Sequence, residues 1–119
     1  MIKKILVIDD EELLIRTMNR LLEKNGYLVY STKSSQDAEV IAEEEEFDLL
    51  ICDIRMPGRN GVETAKCIQN IKPMPIIFIT GFADEAIEEE AQKLNPVAYL
   101  MKPFDAHEML AIIEKAFKS

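Results

Sequence analysis

Five short apolar runs recur along the chain, each followed by a stretch whose apolar residues return every three to four positions, and that alternation restricts the fold more than any other feature. Ile5-Leu6-Val7-Ile8 is continuous and largely β-branched, as expected for a strand covered on both faces. Leu14, Met18, Leu21 and Leu22 then mark one face of a helix that Asn25-Gly26 ends. The pattern repeats. Tyr27 to Thr32 reads as a strand, followed by a helix that Ser34 can cap and whose inner face carries Ala38, Ile41 and Ala42. Leu49 to Cys52 is the third strand, with Pro57-Gly58 and Asn60-Gly61 in the loop before a helix through Ala65 and Ile68. Pro75 to Thr80 and Val97 to Met101 complete the strands. Asp84 can cap the helix of Ile87, Ala91 and Leu94, and Asp105 with Glu108 resembles a capping box for a last helix with Leu110, Ile113 and Phe117 inward.

Alternation of this kind implies a parallel sheet with helices on both faces. The expected architecture is a doubly wound (βα)5, flavodoxin-like three-layer sandwich of strand order 2-1-3-4-5, which binds ligands at the carboxyl ends of its strands. A chain of 119 residues is one domain, residues 1–119, and buries roughly two thirds of its unfolded surface. A net charge of −8 argues against nucleic-acid binding by this domain. No apolar run approaches the roughly 20 residues of a membrane span, and no secretory signal is recognisable at "MIKKILVIDD". Cys52 and Cys67 lack metal or redox spacing, which suits a reducing, cytoplasmic setting.

The polar residues fall where that architecture binds ligands. Asp9 and Asp10 end the first strand, Asp53 the third, Thr80 the fourth and Lys102 the fifth. Carboxylates so close repel one another unless a hard cation sits among them. Magnesium fits, because it prefers oxygen ligands and commonly takes one or two carboxylates together with a phosphate oxygen. Lys102 adds a fixed positive charge and Thr80 a hydroxyl, a set suited to a tetrahedral anion. With a phosphoryl group as that anion, Asp53 is the candidate nucleophile.

"ILVIDDEELL", "DLLICDIRMPGRNG", "PIIFITG" and "YLMKPF" closely resemble, in order and spacing, the segments of a bacterial response-regulator receiver domain, and the likeness covers essentially the whole chain. The resemblance implies a signalling switch rather than an enzyme. It implies that Asp53 accepts a phosphoryl group from a sensor histidine kinase or phosphotransfer protein, and that Asp10, Asp53 and the backbone carbonyl of Arg55 hold Mg²⁺, with Asp9 acting through a water. Lys102 would meet a phosphoryl oxygen, and the bond before Pro103 would be cis. Thr80 and Tyr99 would carry the switch, changing the surface of the fourth helix, fifth strand and fifth helix. Gly81 leaves room for the phosphoryl group, or is simply a flexible turn. By the same resemblance Arg55 and Phe82 flank the site, and the expectation is that they slow hydrolysis by hindering the attacking water.

Asn95-Pro96 stands where a Gly-Ala pair is frequent in that family, and Asn tolerates the left-handed backbone a helix end needs. Glu43 to Glu46 read as a solvated helix end, and Glu85, Glu88, Glu89 and Glu90 as a solubilising face that could also select a basic partner. His107, alone, is a poor metal ligand. Met109, Ile112 and Ala116 add a second apolar stripe to the last helix, consistent with core packing or with a phosphorylation-dependent dimer.

Three rivals remain. A haloacid-dehalogenase-like phosphatase places DxD on its first strand, whereas here the acids are adjacent. A flavodoxin-type FMN carrier needs a neutral phosphate cradle where this chain has "DDEE". A phosphorylation-independent interaction module of the same fold is disfavoured by the intact Asp, Thr and Lys set. The chain stops just after the last helix, so a stand-alone regulator and a receiver cut from a longer protein both stay open, and the output domain is unreadable.

Overall fold

The computed structural model describes residues 2–56, 60–82 and 84–118; the expected Pro57-Gly58 turn lies outside them. Strands and helices alternate: β1 Lys4–Ile8, α1 Glu12–Lys24, β2 Leu28–Thr32, α2 Ser35–Glu44, β3 Leu49–Asp53, α3 Gly61–Ile71, β4 Ile76–Thr80, α4 Glu85–Gln92, β5 Ala98–Met101 and α5 Ala106–Lys118. The strands form one parallel sheet ordered β2-β1-β3-β4-β5, as expected.

Period-two alternation divides the core. Ile5, Val7, Leu49, Ile51, Ile77 and Ile79 point to one face, where Met18 and Leu22 of α1 and Met109 and Ile113 of α5 cover them. Leu6, Ile8, Leu50, Cys52 and Phe78 point to the other, under Ala38 and Ala42 of α2, Ala65 and Ile68 of α3 and Ala91 of α4. Every residue of β3 and β4 is buried, which explains why both are apolar up to their last residue, Asp53 in β3 and Thr80 in β4.

Element ends differ from the sequence reading for identifiable reasons. Tyr27 belongs to the close of α1: its N–H donates to the Leu22 carbonyl and that of Gly26 to Glu23, a Schellman arrangement with Gly26 at φ +92°. Asp53 pairs with Ile79 inside β3 rather than following it. Helix α5 is rotated from expectation. Met109, assigned to the second stripe, is fully buried, whereas Leu110 and Phe117 are only half-buried, and Ile112 also packs on the sheet. The second stripe is thus spent largely inside the fold. The expected caps form: Ser34 accepts from the Asp37 N–H at 3.2 Å, Asp84 from Ile87 at 3.1 Å, and Asp105 from His107 at 2.7 Å and Glu108 at 3.3 Å.

Candidate functional site

The strand ends bring Asp9, Asp10, Asp53, Thr80 and Lys102 to the carboxyl edge of the sheet. Asp9 directly follows β1 and is fully buried; Asp53 is 2% exposed, and Asp10 lies at the open rim. One carboxylate oxygen from each lies within 4.8 Å of the others. Asp9 Oδ1 accepts the Glu11 N–H at 2.8 Å, and Asp53 Oδ1 accepts the Arg55 N–H at 3.2 Å. Lys102 Nζ reaches across from the end of β5, 2.9 Å from Asp9 Oδ2 and 3.3 Å from Asp53 Oδ2.

This arrangement strains charge more than shape. Burial, and then the neighbouring Asp9, push the Asp53 carboxyl up to about 6, against the pull of Lys102. Burial also raises Asp9, opposed by the Glu11 N–H and by Lys102. Burial alone would lower the Lys102 ammonium, but Glu11, Asp9 and Asp53 around it hold it above its ordinary value. Asp9 Oδ2 is buried without an aligned hydrogen-bond donor, the Lys102 contact being a bare ion pair. An all-oxygen donor set with a surplus of negative charge and an underserved buried oxygen fits a hard divalent cation.

The remaining expected residues surround this centre. Thr80 is buried, and its hydroxyl accepts the Phe82 N–H at 3.2 Å and donates to the Phe82 carbonyl at 3.1 Å, so it is turned onto the loop after β4. Tyr99 on β5 is half-buried against the α2–α4 face of the core; burial, then Glu88 of α4 and Asp84 at its cap, raise its phenol. The Lys102–Pro103 peptide bond is cis, as expected. The Arg55 guanidinium stacks 4.6 Å from the centre of the Phe82 ring, which is 54% exposed. With Ile54, Asp84 and Ile87 the pair lines a pocket of its own.

Two residues in this region went unrecognised in the sequence. Gly61 reads there only as part of a turn, yet a Cβ at that position would sit 2.0 Å from the Asp53 carbonyl oxygen. Its N–H donates to the Ile54 carbonyl at 2.7 Å, so α3 begins in direct backbone contact with the end of β3. By contrast a Cβ at Gly81 would meet only the Lys102 side chain, at 3.8 Å, an ordinary contact. The other is Glu11, whose carboxylate accepts from Lys102 Nζ at 2.6 Å. Its only signal was its place in "DDEE".

Fold and crevice together define a doubly wound α/β domain with an acidic, lysine-bearing site at its switch point. The family model for the response regulator receiver domain matches residues 5–114, and the chain belongs to that family, the signalling switches of two-component systems. The transcriptional regulatory protein CrdR of Helicobacter pylori is 36% identical over 117 residues, 97% of this chain and 55% of that protein; the chain spans about half the length of the curated relatives it matches. A CheY-like receiver domain protein from Methanospirillum hungatei superposes with a TM-score of 0.93 at 28% identity, over 99% of this chain and 96% of that one. A response regulator from Burkholderia pseudomallei, solved with a phosphorylated aspartic acid, a calcium ion and citrate, superposes with a TM-score of 0.85 at 30% identity, covering 92% of this chain and 65% of that one. No described helix is long and apolar enough to cross a membrane.

Proposed function

We propose that residues 1–119 act as one phosphoacceptor unit, in which Asp53 takes a phosphoryl group from the phosphohistidine of a cytoplasmic sensor kinase or phosphotransfer protein. The observation that carries this reading is the placement of buried Asp53 within 4.8 Å of two further carboxylates and 3.3 Å from Lys102 Nζ. An Asp53 oxygen attacks phosphorus, the P–N bond breaks, and the imidazole leaves with its electron pair and takes a proton. Asp10, Asp53 and the Arg55 carbonyl would hold Mg²⁺, with Asp9 acting through a water. When bound, the ion supplies positive charge against the phosphoryl oxygens. Lys102 supplies a second positive charge on the same side. The aspartyl phosphate and bound cation of the Burkholderia pseudomallei relative support the same chemistry here.

Switching follows from the partners of Thr80. To bond a phosphoryl oxygen its hydroxyl must leave the Phe82 backbone, which frees the loop between β4 and α4 and the space Tyr99 can enter. The face of α4, β5 and α5 then changes for a downstream partner. Relatives named as transcriptional regulators suggest that this output is gene control through something other than this acidic domain. On this reading the Arg55–Phe82 stack hinders the attacking water and prolongs the phosphorylated state.

The test is intact mass after incubation with acetyl phosphate, with and without Mg²⁺, for the wild type and Asp53→Asn. A gain of one phosphoryl group that requires both magnesium and Asp53 is expected. No gain in a folded protein would overturn the reading in favour of a module that signals by binding alone.

A further inference from the structure

We propose that Glu11 is a stand-in anion on Lys102, holding one of the ammonium's bonds until a phosphoryl oxygen on Asp53 displaces it. The inference rests on the phosphoacceptor reading above.

An ammonium has three N–H donors, and Lys102 Nζ already faces three carboxylates: Glu11 at 2.6 Å, Asp9 at 2.9 Å and Asp53 at 3.3 Å. The Glu11 and Asp53 contacts are hydrogen bonds and the Asp9 contact is an ion pair, so anionic oxygens from a phosphoryl group on Asp53 compete for a nitrogen already crowded with negative partners, and the partner that costs least to release lets go. Exposure decides which. The side chains of Asp9 and Asp53 are 0% and 3% exposed, and neither carboxylate can exchange its lysine contact for bulk water. That of Glu11 is 60% exposed, so its carboxylate can be rehydrated at little loss. The shortest of the three contacts is therefore also the easiest to give up.

Local structure is consistent with a side chain committed to this task. Glu11 is the residue at the start of α1 in extended conformation, a position where a side-chain oxygen usually accepts a helix N–H, yet it makes no such capping bond. Its backbone is fixed by the N–H bond to Asp9 Oδ1 at 2.8 Å. The carboxylate is thus held over Lys102 by the same buried aspartate that belongs to the candidate cation site. In the resting protein Glu11 keeps Lys102 at the mouth of the crevice; after phosphorylation Glu11 is released to solvent and the start of α1 loses its tie to the loop after β5.

The experiment measures beryllofluoride, a tetrahedral phosphoryl mimic, binding by calorimetry at saturating Mg²⁺ to the wild type, Glu11→Gln and Glu11→Ala, and follows the Lys102 ammonium by ¹⁵N NMR. Both variants should bind beryllofluoride more tightly by about two- to fivefold, the range an exposed ion pair spans. The Lys102 ammonium signal should differ between wild type and Glu11→Gln before beryllofluoride is added and coincide afterwards, because Glu11 has then let go. A merely structural Glu11 would not produce that convergence. Equal or weaker binding by the variants, or signals that stay apart in the bound state, would overturn the proposal. Failure of the folded wild type itself to bind beryllofluoride would instead bring down the phosphoacceptor reading, and the role of Glu11 with it.

Discussion

Asp53 is held where its charge is disfavoured, and that has a thermodynamic signature. Its carboxyl is raised by burial and by Asp9 to about 6, so between its ordinary value near 3.8 and about 6 the folded chain binds more protons than the unfolded one. Stability therefore falls as pH rises through that window and levels off above it. Asp53→Asn removes the penalty and should stabilise the metal-free protein at neutral pH by about 1–3 kcal/mol, a gain that disappears below about pH 4. Urea unfolding across that range checks it; a gain independent of pH would mean that ionisation is not its source. Gly61 acts through shape instead. Gly61→Ala places a methyl 2.0 Å from the Asp53 carbonyl oxygen and 2.9 Å from Ile54 Cα, so backbone must move, at about 1–3 kcal/mol. Gly81→Ala meets only the flexible Lys102 stem and should unfold near the wild-type temperature. Thermal unfolding of the pair separates the two glycines. Truncating either partner of the Arg55–Phe82 stack should shorten the life of the phosphorylated form severalfold, read by mass spectrometry over time; unchanged decay would show that the stack does not screen the phosphate.

Among the elements, α4 is the weakly held one. It has eight residues, buries only Ala91 among them, carries Glu85 and Glu88 in its first turn and no basic residue in its last, and leaves its end to Asn95 at φ +51°. Asn95→Ala forces a Cβ-bearing residue without a local polar side chain into the left-handed region and should cost about 1 kcal/mol, whereas Asn95→Gly should be neutral or better. In hydrogen exchange the α4 amides should open well before those of α3, which buries Gly61, Val62, Thr64, Ala65 and Ile68; matched protection would contradict a switch element there. Elements of this kind were readable because apolar period, run length and the residues that cap or break each run together distinguish a two-faced strand from a one-faced helix. Rotation was not readable: Met109 and Leu110 are adjacent and both apolar, and only packing against β1, β3 and β4 determines that Met109 goes in. The candidate site was legible where a charge ends or follows an apolar strand, as at Asp9, Asp53 and Lys102. Glu11 and Gly61 escaped because their roles lie in contacts, one with a lysine 91 residues away and one with a backbone oxygen of β3.

For the molecule as a whole, a chain of net charge −8 concentrates carboxylates at one edge of its sheet and sets Lys102 against them. Such an edge opposes folding, and a cation that binds only the folded state offsets it by mass action, about 2.7 kcal/mol when present at 100 times its dissociation constant. Adding Mg²⁺ should therefore raise the thermal midpoint. Salt alone screens the self-repulsion of an acidic protein, so the comparison is made with NaCl at matched ionic strength, and the magnesium-specific part is what counts. That part should be lost in Asp10→Asn and strongly reduced in Asp53→Asn, although the second variant is itself more stable than the wild type without metal. It should also fade as pH falls below about 6, because a proton on Asp53 competes with the ion for the same oxygen. A midpoint that rises equally in wild type and both variants would assign the stabilisation to general screening and leave the carboxylate cluster without a cation. The opposite signs predicted for Asp53→Asn, more stable without magnesium and less responsive to it, are hard to obtain unless one carboxylate is both the source of the strain and a ligand to the ion that relieves it.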